Sequence, residues 1–204
     1  MADWSAGSVS PGPDGRLRCH WASENAGDAQ LLRYHDEEWG TPTRDDAPVF
    51  EALSLGVFQA GLNWLTILHK RDAFRRAFHG FEPSRIAAMS EAEVDALFED
   101  AAIIRNRAKI LATVRNARTM LATADGLAAS AHAFAPKERI RPRRGSDVAA
   151  STPESTALSA RLKADGYAFV GPTSTYTFMQ SIGVVNDHIA GCYRGDEIDG
   201  TSTG

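Results

Sequence analysis

The chain has 204 residues, 43% of them hydrophobic and 24% charged, enough to build a core in one domain or in two small lobes. No apolar run approaches the roughly 20 residues that a membrane-spanning helix needs, and residues 1–15, rich in Gly, Pro and Ser without an apolar stretch, do not read as a secretory signal. A formal net charge of −4 argues against avid non-specific nucleic-acid binding, although it leaves room for a local basic face.

Residues 1–17 read as a disordered tail. Asp45 or Asp46 can cap a long apolar segment over 47–69, which Gly61 should break, because Gly disfavours a helix interior by about 1 kcal/mol relative to Ala. A short amphipathic piece follows over 72–78, and Glu82-Pro83-Ser84 starts another. Ser90 and Glu93 form a capping box ahead of Val94. A hairpin-like interval over 100–106 leads into a helix over 107–124, with Ile110, Leu111, Val114 and Met120 available for a core. Asp125-Gly126 is a turn, and 135–151 reads as an exposed basic loop. A helix starts at Thr152-Pro153-Glu154 and stops at Gly166. Segments over 173–181 and 184–192 complete the set, and 195–204 reads as a flexible tail. The pattern is all-α.

The chain's only two cysteines stand near its ends, each near a histidine: Cys19 with His35, and His188 with Cys192. Zinc takes four tetrahedral ligands from thiolate and imidazole. His188 and Cys192, four apart, share a helix face or straddle a helix end. Cys19 and His35 are too far apart for a local knuckle, so a metal here would tie the N-terminal segment to the C-terminal one. A disulfide between Cys19 and Cys192 fits the same residues in an oxidising compartment, and so does ordinary burial of small side chains. Two cysteines and no export signal make a reducing cytoplasm the default.

Two stretches are basic: Arg105, Arg107, Lys109, Arg115 and Arg118, then Lys137, Arg139, Arg141, Arg143 and Arg144. Each alone reads as a solvated face. No G-x-G-x-x-G, phosphate-cradling loop or His-Glu-x-x-His is present, and the last absence argues against a zinc hydrolase.

Arg18-Cys19-His20-Trp21, Tyr34-His35-Asp36-Glu37-Glu38-Trp39-Gly40 and Gln59-Ala60-Gly61-Leu62-Asn63-Trp64 resemble motifs of the 3-methyladenine DNA glycosylase I family. So do the interval from Asp100 to Ile110, Phe169-Val170-Gly171, Tyr176-Thr177-Phe178-Met179-Gln180, and Val185-Asn186-Asp187-His188 followed by Cys192. The resemblance runs in order from Arg18 to Cys192. It implies a single two-lobed helical domain over 18–194, of the helix-hairpin-helix glycosylase type. It implies a structural zinc on Cys19, His35, His188 and Cys192, whose full ligand shell leaves no position to activate water. It further implies a monomer, with no membrane, acting on double-stranded DNA that carries alkylated bases.

A glycosylase must take its target base out of the stack and into a pocket. Aromatic walls suit a flat base at about 1–3 kcal/mol each, and a methylated, cationic purine is drawn further to ring faces. The resemblance implies that Trp21, Tyr34, Trp39 and Trp64 supply such walls, Tyr34 and Trp64 foremost, although taken singly such residues more often fill cores. Cationic 3-methyladenine departs as a neutral base and needs little acid catalysis, so no catalytic residue is assigned. Asp125, the first acidic residue after Lys109, falls in a turn. The resemblance places Gln59, Gly61, Leu62, Arg105, Arg107 and Lys109 on the DNA side, with Leu62 the candidate wedge.

Two departures stand out. Gly56 occupies the position where the family commonly carries a glutamate that hydrogen-bonds the base, and Glu51 lies on a different helix face. Ala102 and Ala108 stand where the hairpin commonly has Gly. The sequence therefore points to a base-excision glycosylase hydrolysing the N-glycosidic bond of alkylated purines. The alternative, kept open by Gly56, is a zinc-stapled DNA-binding module with weak or altered excision.

Overall fold

The fold is that of a computed structural model describing residues 7–138 and 140–201. In chain order its elements are β1 (Val9–Pro11), β2 (Leu17–Cys19), α1 (His20–Ser23) and α2 (Ala29–Arg33), then a π-helical turn (Tyr34–Glu38), α3 (Asp46–Gln59), α4 (Trp64–His69) and α5 (Arg71–Ala77). A 3-10 turn (His79–Phe81), α6 (Pro83–Ala87), α7 (Glu91–Glu99), α8 (Arg107–Ala122) and α9 (Leu127–His132) follow. A second 3-10 turn (Gly145–Asp147), α10 (Pro153–Asp165), α11 (Pro172–Ser181) and α12 (Tyr193–Thr201) complete the chain. The chain is mostly helical, as its periodicity indicates, with one two-stranded sheet among the described residues. No described helix is long and apolar enough to cross a membrane.

The chain divides into two compact units. One gathers the described residues up to Pro42, those of Ala135–Ala150, and those from Met179 onward; the other comprises Thr43–Phe134 and Ser151–Phe178.

The first unit corrects both expected tails. Val9 pairs with Cys19 and Pro11 with Leu17 in an antiparallel hairpin. The Pro11-Gly12-Pro13-Asp14-Gly15 run is turn chemistry rather than disorder. Asp14 accepts hydrogen bonds from Arg16 and Arg18, which tie the turn to β2. At the other end α12 is ordered because Ile198 is buried, and Arg141 pairs with Asp196 and Asp199. The parts of the expected tails over 1–6 and 202–204, and Arg139 of the basic loop, lie outside the described residues. The segment over 184–192 is irregular rather than helical. It follows Gly183, where a Cβ would sit 2.4 Å from the backbone of Thr41 and Pro42; only Gly permits that approach.

The second unit is built on α3, whose Val49, Phe50, Leu53, Leu55, Val57 and Phe58 are all buried. Phe58, Phe74, Phe78 and Phe81 form its aromatic core. Helix α8 packs on α6, α3 and α7. The capping box forms: Ser90 Oγ accepts from Glu93 N, and the Glu93 carboxylate accepts from Ser90 N. The long apolar segment breaks as expected, with Gly61 at φ +80° between α3 and α4. Two details differ. Helix α8 ends at Ala122, and Leu111 faces solvent instead of the core, at 45% exposure.

Candidate functional site

Cys19, His35, His188 and Cys192 come together in the first unit, all buried, with their ligating atoms within 4.8 Å of one another. Strand β2 delivers Cys19, the π-helical turn delivers His35, and the irregular segment delivers His188. Cys192 stands just before α12, its carbonyl accepting from Asp196 N at 3.2 Å, so the His188–Cys192 spacing straddles a helix end. Cys192 Sγ lies 3.5 Å from both His35 Nε2 and His188 Nδ1, and Cys19 Sγ lies 3.6 Å from His188 Nδ1. Both cysteines are free of disulfides.

The surroundings assign one nitrogen of each ring to the cluster. His35 Nδ1 donates to Asp36 Oδ1 at 2.8 Å, leaving Nε2 to face the sulfurs. His188 Nε2 donates to the Trp39 carbonyl at 2.9 Å, leaving Nδ1 inward. The backbone N–H of Ile189 donates to Cys19 Sγ at 3.3 Å. Burial, then the Cys192 neighbour, pushes the Cys19 thiol up. The Cys19 hydrogen bond, followed by those of His188 and His35, holds Cys192 well below the usual thiol range. A divalent cation among the four would favour both thiolates at once. This is a set of four protein ligands that could hold a metal ion.

Three residues that sequence reasoning missed support the set. Burial pushes the Asp36 carboxyl up, but the hydrogen bonds from Arg18 and His35 outweigh it and the net shift is downward. Arg18 itself is buried and bonds both Asp36 and Asp14. Arg141 donates to the carbonyls of His188, Ile189 and Cys192, so one arginine of the basic loop fixes the C-terminal ligand segment. For Asp36 and Arg18 a signal existed, since each adjoins a ligand in the sequence. Arg141 carried no such signal.

The aromatic candidates occupy distinct places. Trp21 and Trp39 pack against the cluster core formed by Cys19, Ile189 and Cys192. Their rings stand edge-on to His35 and His188, respectively, at centroid distances of 5.0 and 4.7 Å. Tyr34 is buried, with its hydroxyl 3.4 Å from Ser181 Oγ. In the second unit Trp64 opens α4 behind Asn63, whose side chain caps Leu65 N. Gly56 sits in the middle of α3, where an added Cβ would meet nothing within 4 Å. Glu51 is buried and fully engaged: it pairs with Arg71, and with Arg75 Nε at 3.0 Å.

The residues expected on the DNA side separate into exposed and buried ones. The turn between α3 and α4 presents Gly61 and Leu62 outward, Leu62 at 42% exposure, with Gln59 half-buried at the end of α3. Arg105 is exposed in the interval between α7 and α8. Arg107 is exposed too, its guanidinium 4.2 Å over the Phe98 ring. That interval turns without any left-handed residue, so Ala102 is accommodated where Gly was expected; Ala108 lies in the first turn of α8. Lys109, expected beside the arginines, is buried instead. Its Nζ donates to the carbonyls of Phe58 at 2.9 Å and Ala60 at 2.7 Å, and burial lowers its pKa. The physical reason is helix geometry: residues two apart point to nearly opposite sides.

The family model for methyladenine glycosylases matches residues 21–195. DNA-3-methyladenine glycosylase 1 of Escherichia coli (strain K12) is 42% identical over 180 residues, covering 86% of this chain and 95% of that protein. A crystal structure of 3-methyladenine DNA glycosylase I superposes with a TM-score of 0.80 at 42% identity, covering 86% of this chain and 98% of that one. A variant of 3-methyladenine DNA glycosylase I in complex with 3-methyladenine gives 0.79 at 29% identity, covering 85% and 96%. The chain belongs to the methyladenine glycosylase family.

Proposed function

We propose, from that family membership, that this chain is a base-excision DNA glycosylase that hydrolyses the N-glycosidic bond of alkylated purines, 3-methyladenine foremost. The observation that carries the reading is the match to a DNA-3-methyladenine glycosylase at 42% identity over 86% of this chain and 95% of that one. In the reaction the bond between the purine and C1′ breaks, and its electron pair moves onto the ring, neutralising the cationic base. Water adds to C1′ of the oxocarbenium-like sugar and loses a proton to solvent. A leaving group that departs neutral needs no strong general acid, which agrees with Asp125 being tied to the exposed Arg161 rather than to a pocket.

Extrusion of the base costs a few kcal/mol of unstacking. Leu62, apolar and exposed at the tip of the turn, suits a wedge into the vacated stack. The helix-hairpin-helix reading assigns α7, the interval over 100–106 and α8 to backbone contact, with Arg105 and Arg107 facing phosphates. Trp64 is the stacking wall of this unit, and Tyr34 is a second candidate that its own substitution would test.

Zinc is the proposed occupant of the Cys19, His35, His188 and Cys192 set. Zn–S of about 2.3 Å and Zn–N of about 2.0–2.1 Å at tetrahedral angles require S···N separations of about 3.6 Å. The three S···N distances of 3.5–3.6 Å support that fit. Such an ion supplies fold stability and no activated water, because four protein side chains fill its shell. Thiolate ligands also favour a reducing compartment, and the proposal extends to a cytoplasmic monomer.

Gly56 favours one other reading, a DNA-binding module that excises weakly. Incubation with methylated duplex DNA and chromatography for free 3-methyladenine separates the two. Base release supports the glycosylase, whereas tight binding without release supports the module.

A further inference from the structure

We propose that Lys109 and Lys70 are positioning residues that lock the turn over 59–63 to the hairpin over 100–106, each lysine reaching from the helix beside one loop to the backbone of the other. The last carbonyls of any helix lack intrahelical partners and carry partial negative charge. At the end of α3 the carbonyls of Phe58 and Ala60 both accept from Lys109 Nζ, which comes from the first turn of α8, three residues past the hairpin. Leu62 N donates to Gln59 O at 2.7 Å and closes the turn that Lys109 grips. In the opposite direction Lys70, directly after α4, donates to the Ala102 carbonyl at 2.8 Å. Asp100 Oδ1 accepts from Ala102 N at 2.8 Å and fixes that residue from its other side.

The arrangement is specific. Burying an ammonium without a carboxylate is unfavourable, and an apolar side chain would fill the same space more cheaply. Lys109 has no ion-pair partner among the described residues, and Lys70 has none either. Their hydrogen bonds to carbonyls are charge-assisted and directional, so they tie the backbones of the two loops at a set separation. On the glycosylase reading, on which this inference rests, one loop carries the wedge and the other the phosphate contacts. A wedge enters the stack only when the backbone is held at a set separation from it, and misplacement of reacting groups by about 1 Å can cost about 100-fold in rate.

The test compares full-length native protein with Lys109→Met and Lys70→Met. Three quantities are measured: amide hydrogen exchange over 59–63 and 100–106, single-turnover release of 3-methyladenine from methylated duplex, and binding of free 3-methyladenine. Lys109→Met should speed exchange over 59–63 and slow release about 10- to 100-fold, with free-base binding and the salt dependence of DNA binding unchanged. Lys70→Met, at a less buried site, should speed exchange over 100–106 and slow release in the same direction. Unchanged exchange in both segments overturns the proposal. A salt slope reduced by about one unit with exchange unaltered also overturns it, because Lys109 would then be a phosphate contact. If Lys109→Met fails to fold, Lys70→Met decides. Should native protein release no base, the glycosylase reading fails, while the exchange measurement still decides the clamp.

Discussion

The cysteine–histidine cluster and the paired loops over 59–63 and 100–106 handle charge in opposite ways. In the cluster every ionisable group is enclosed and matched: ring nitrogens to a carboxylate or a carbonyl, a thiol to a backbone N–H, a carboxylate to a buried arginine. In the loops Arg105 and Leu62 face solvent, while Lys109 and Lys70 hold backbone carbonyls. The difference shows where rigidity is placed. The cluster joins distant parts of the chain and gains by being closed, whereas the loops, on the proposed reading a DNA-facing surface, leave Arg105 free and hold backbone carbonyls instead.

The largest expected effect breaks the cluster. Structural zinc contributes about 10–16 kcal/mol of apparent binding free energy in small domains at neutral pH. Cys192→Ser should therefore lower thermal stability and zinc content together. Protein purified without added metal should give a single equivalent by elemental analysis. Metal-free protein of unchanged melting temperature would remove the structural-zinc reading. A milder version acts one layer out: Asp36→Asn should weaken zinc retention about 10- to 100-fold, as loss of a carboxylate behind a ligating histidine does. Competition with a chelator measures it, and retention equal to native would mean that Asp36 orients nothing.

The cluster was legible in the sequence and the loops only partly so, for physical reasons. Two cysteines in the whole chain, each near a histidine, leave few ways to build a buried polar site. The ends misled because Pro-Gly-Pro-Asp-Gly signals both disorder and a tight turn, and because α12 has one buried apolar anchor, Ile198, amid polar residues. Arg105, Arg107 and Lys109 read as a single basic face because they were counted by charge. Their spacing held the correction: in a helix, residues two apart are about 200° apart around the axis, so Arg107 and Lys109 cannot share a face.

Substitution at Gly56 tests the proposed base pocket in the loops' own unit. Glu51 is not available as the acceptor that the proposed function asks of position 56, since Arg71 and Arg75 hold its carboxylate. An added side chain at Gly56 has open space, and replacing Gly in a helix interior stabilises by up to about 1 kcal/mol. Gly56→Glu should raise the melting temperature slightly. It should also tighten binding of free 3-methyladenine about 10- to 100-fold, the equivalent of one hydrogen bond to a charged group. Native protein that binds the free base as tightly as Gly56→Glu would show that another acceptor is present. Trp64→Ala, by contrast, should cut base release by about one to two decades through loss of about 1–3 kcal/mol of stacking. Release at the native rate would return Trp64 to ordinary packing.

The smallest effect gives the sharpest contrast between free and enclosed charge. Arg105 is exposed, with no ion-pair partner among the described residues, and it stands two residues before α8. A phosphate contact from such a residue releases about one condensed counterion, so its removal should reduce the slope of log affinity against log salt by about 0.9. Arg105→Ala should weaken binding to methylated and unmodified duplexes alike, because phosphate contacts carry no base information. Arg18, equally cationic but buried between Asp14 and Asp36, should leave that slope untouched in an Arg18→Met variant that keeps the native fold. Duplex binding titrated across a salt series reads both. If Arg105→Ala kept the native slope, the interval over 100–106 would not face the phosphates, and the DNA surface would have to be sought on another exposed basic stretch such as Arg115 and Arg118 of α8.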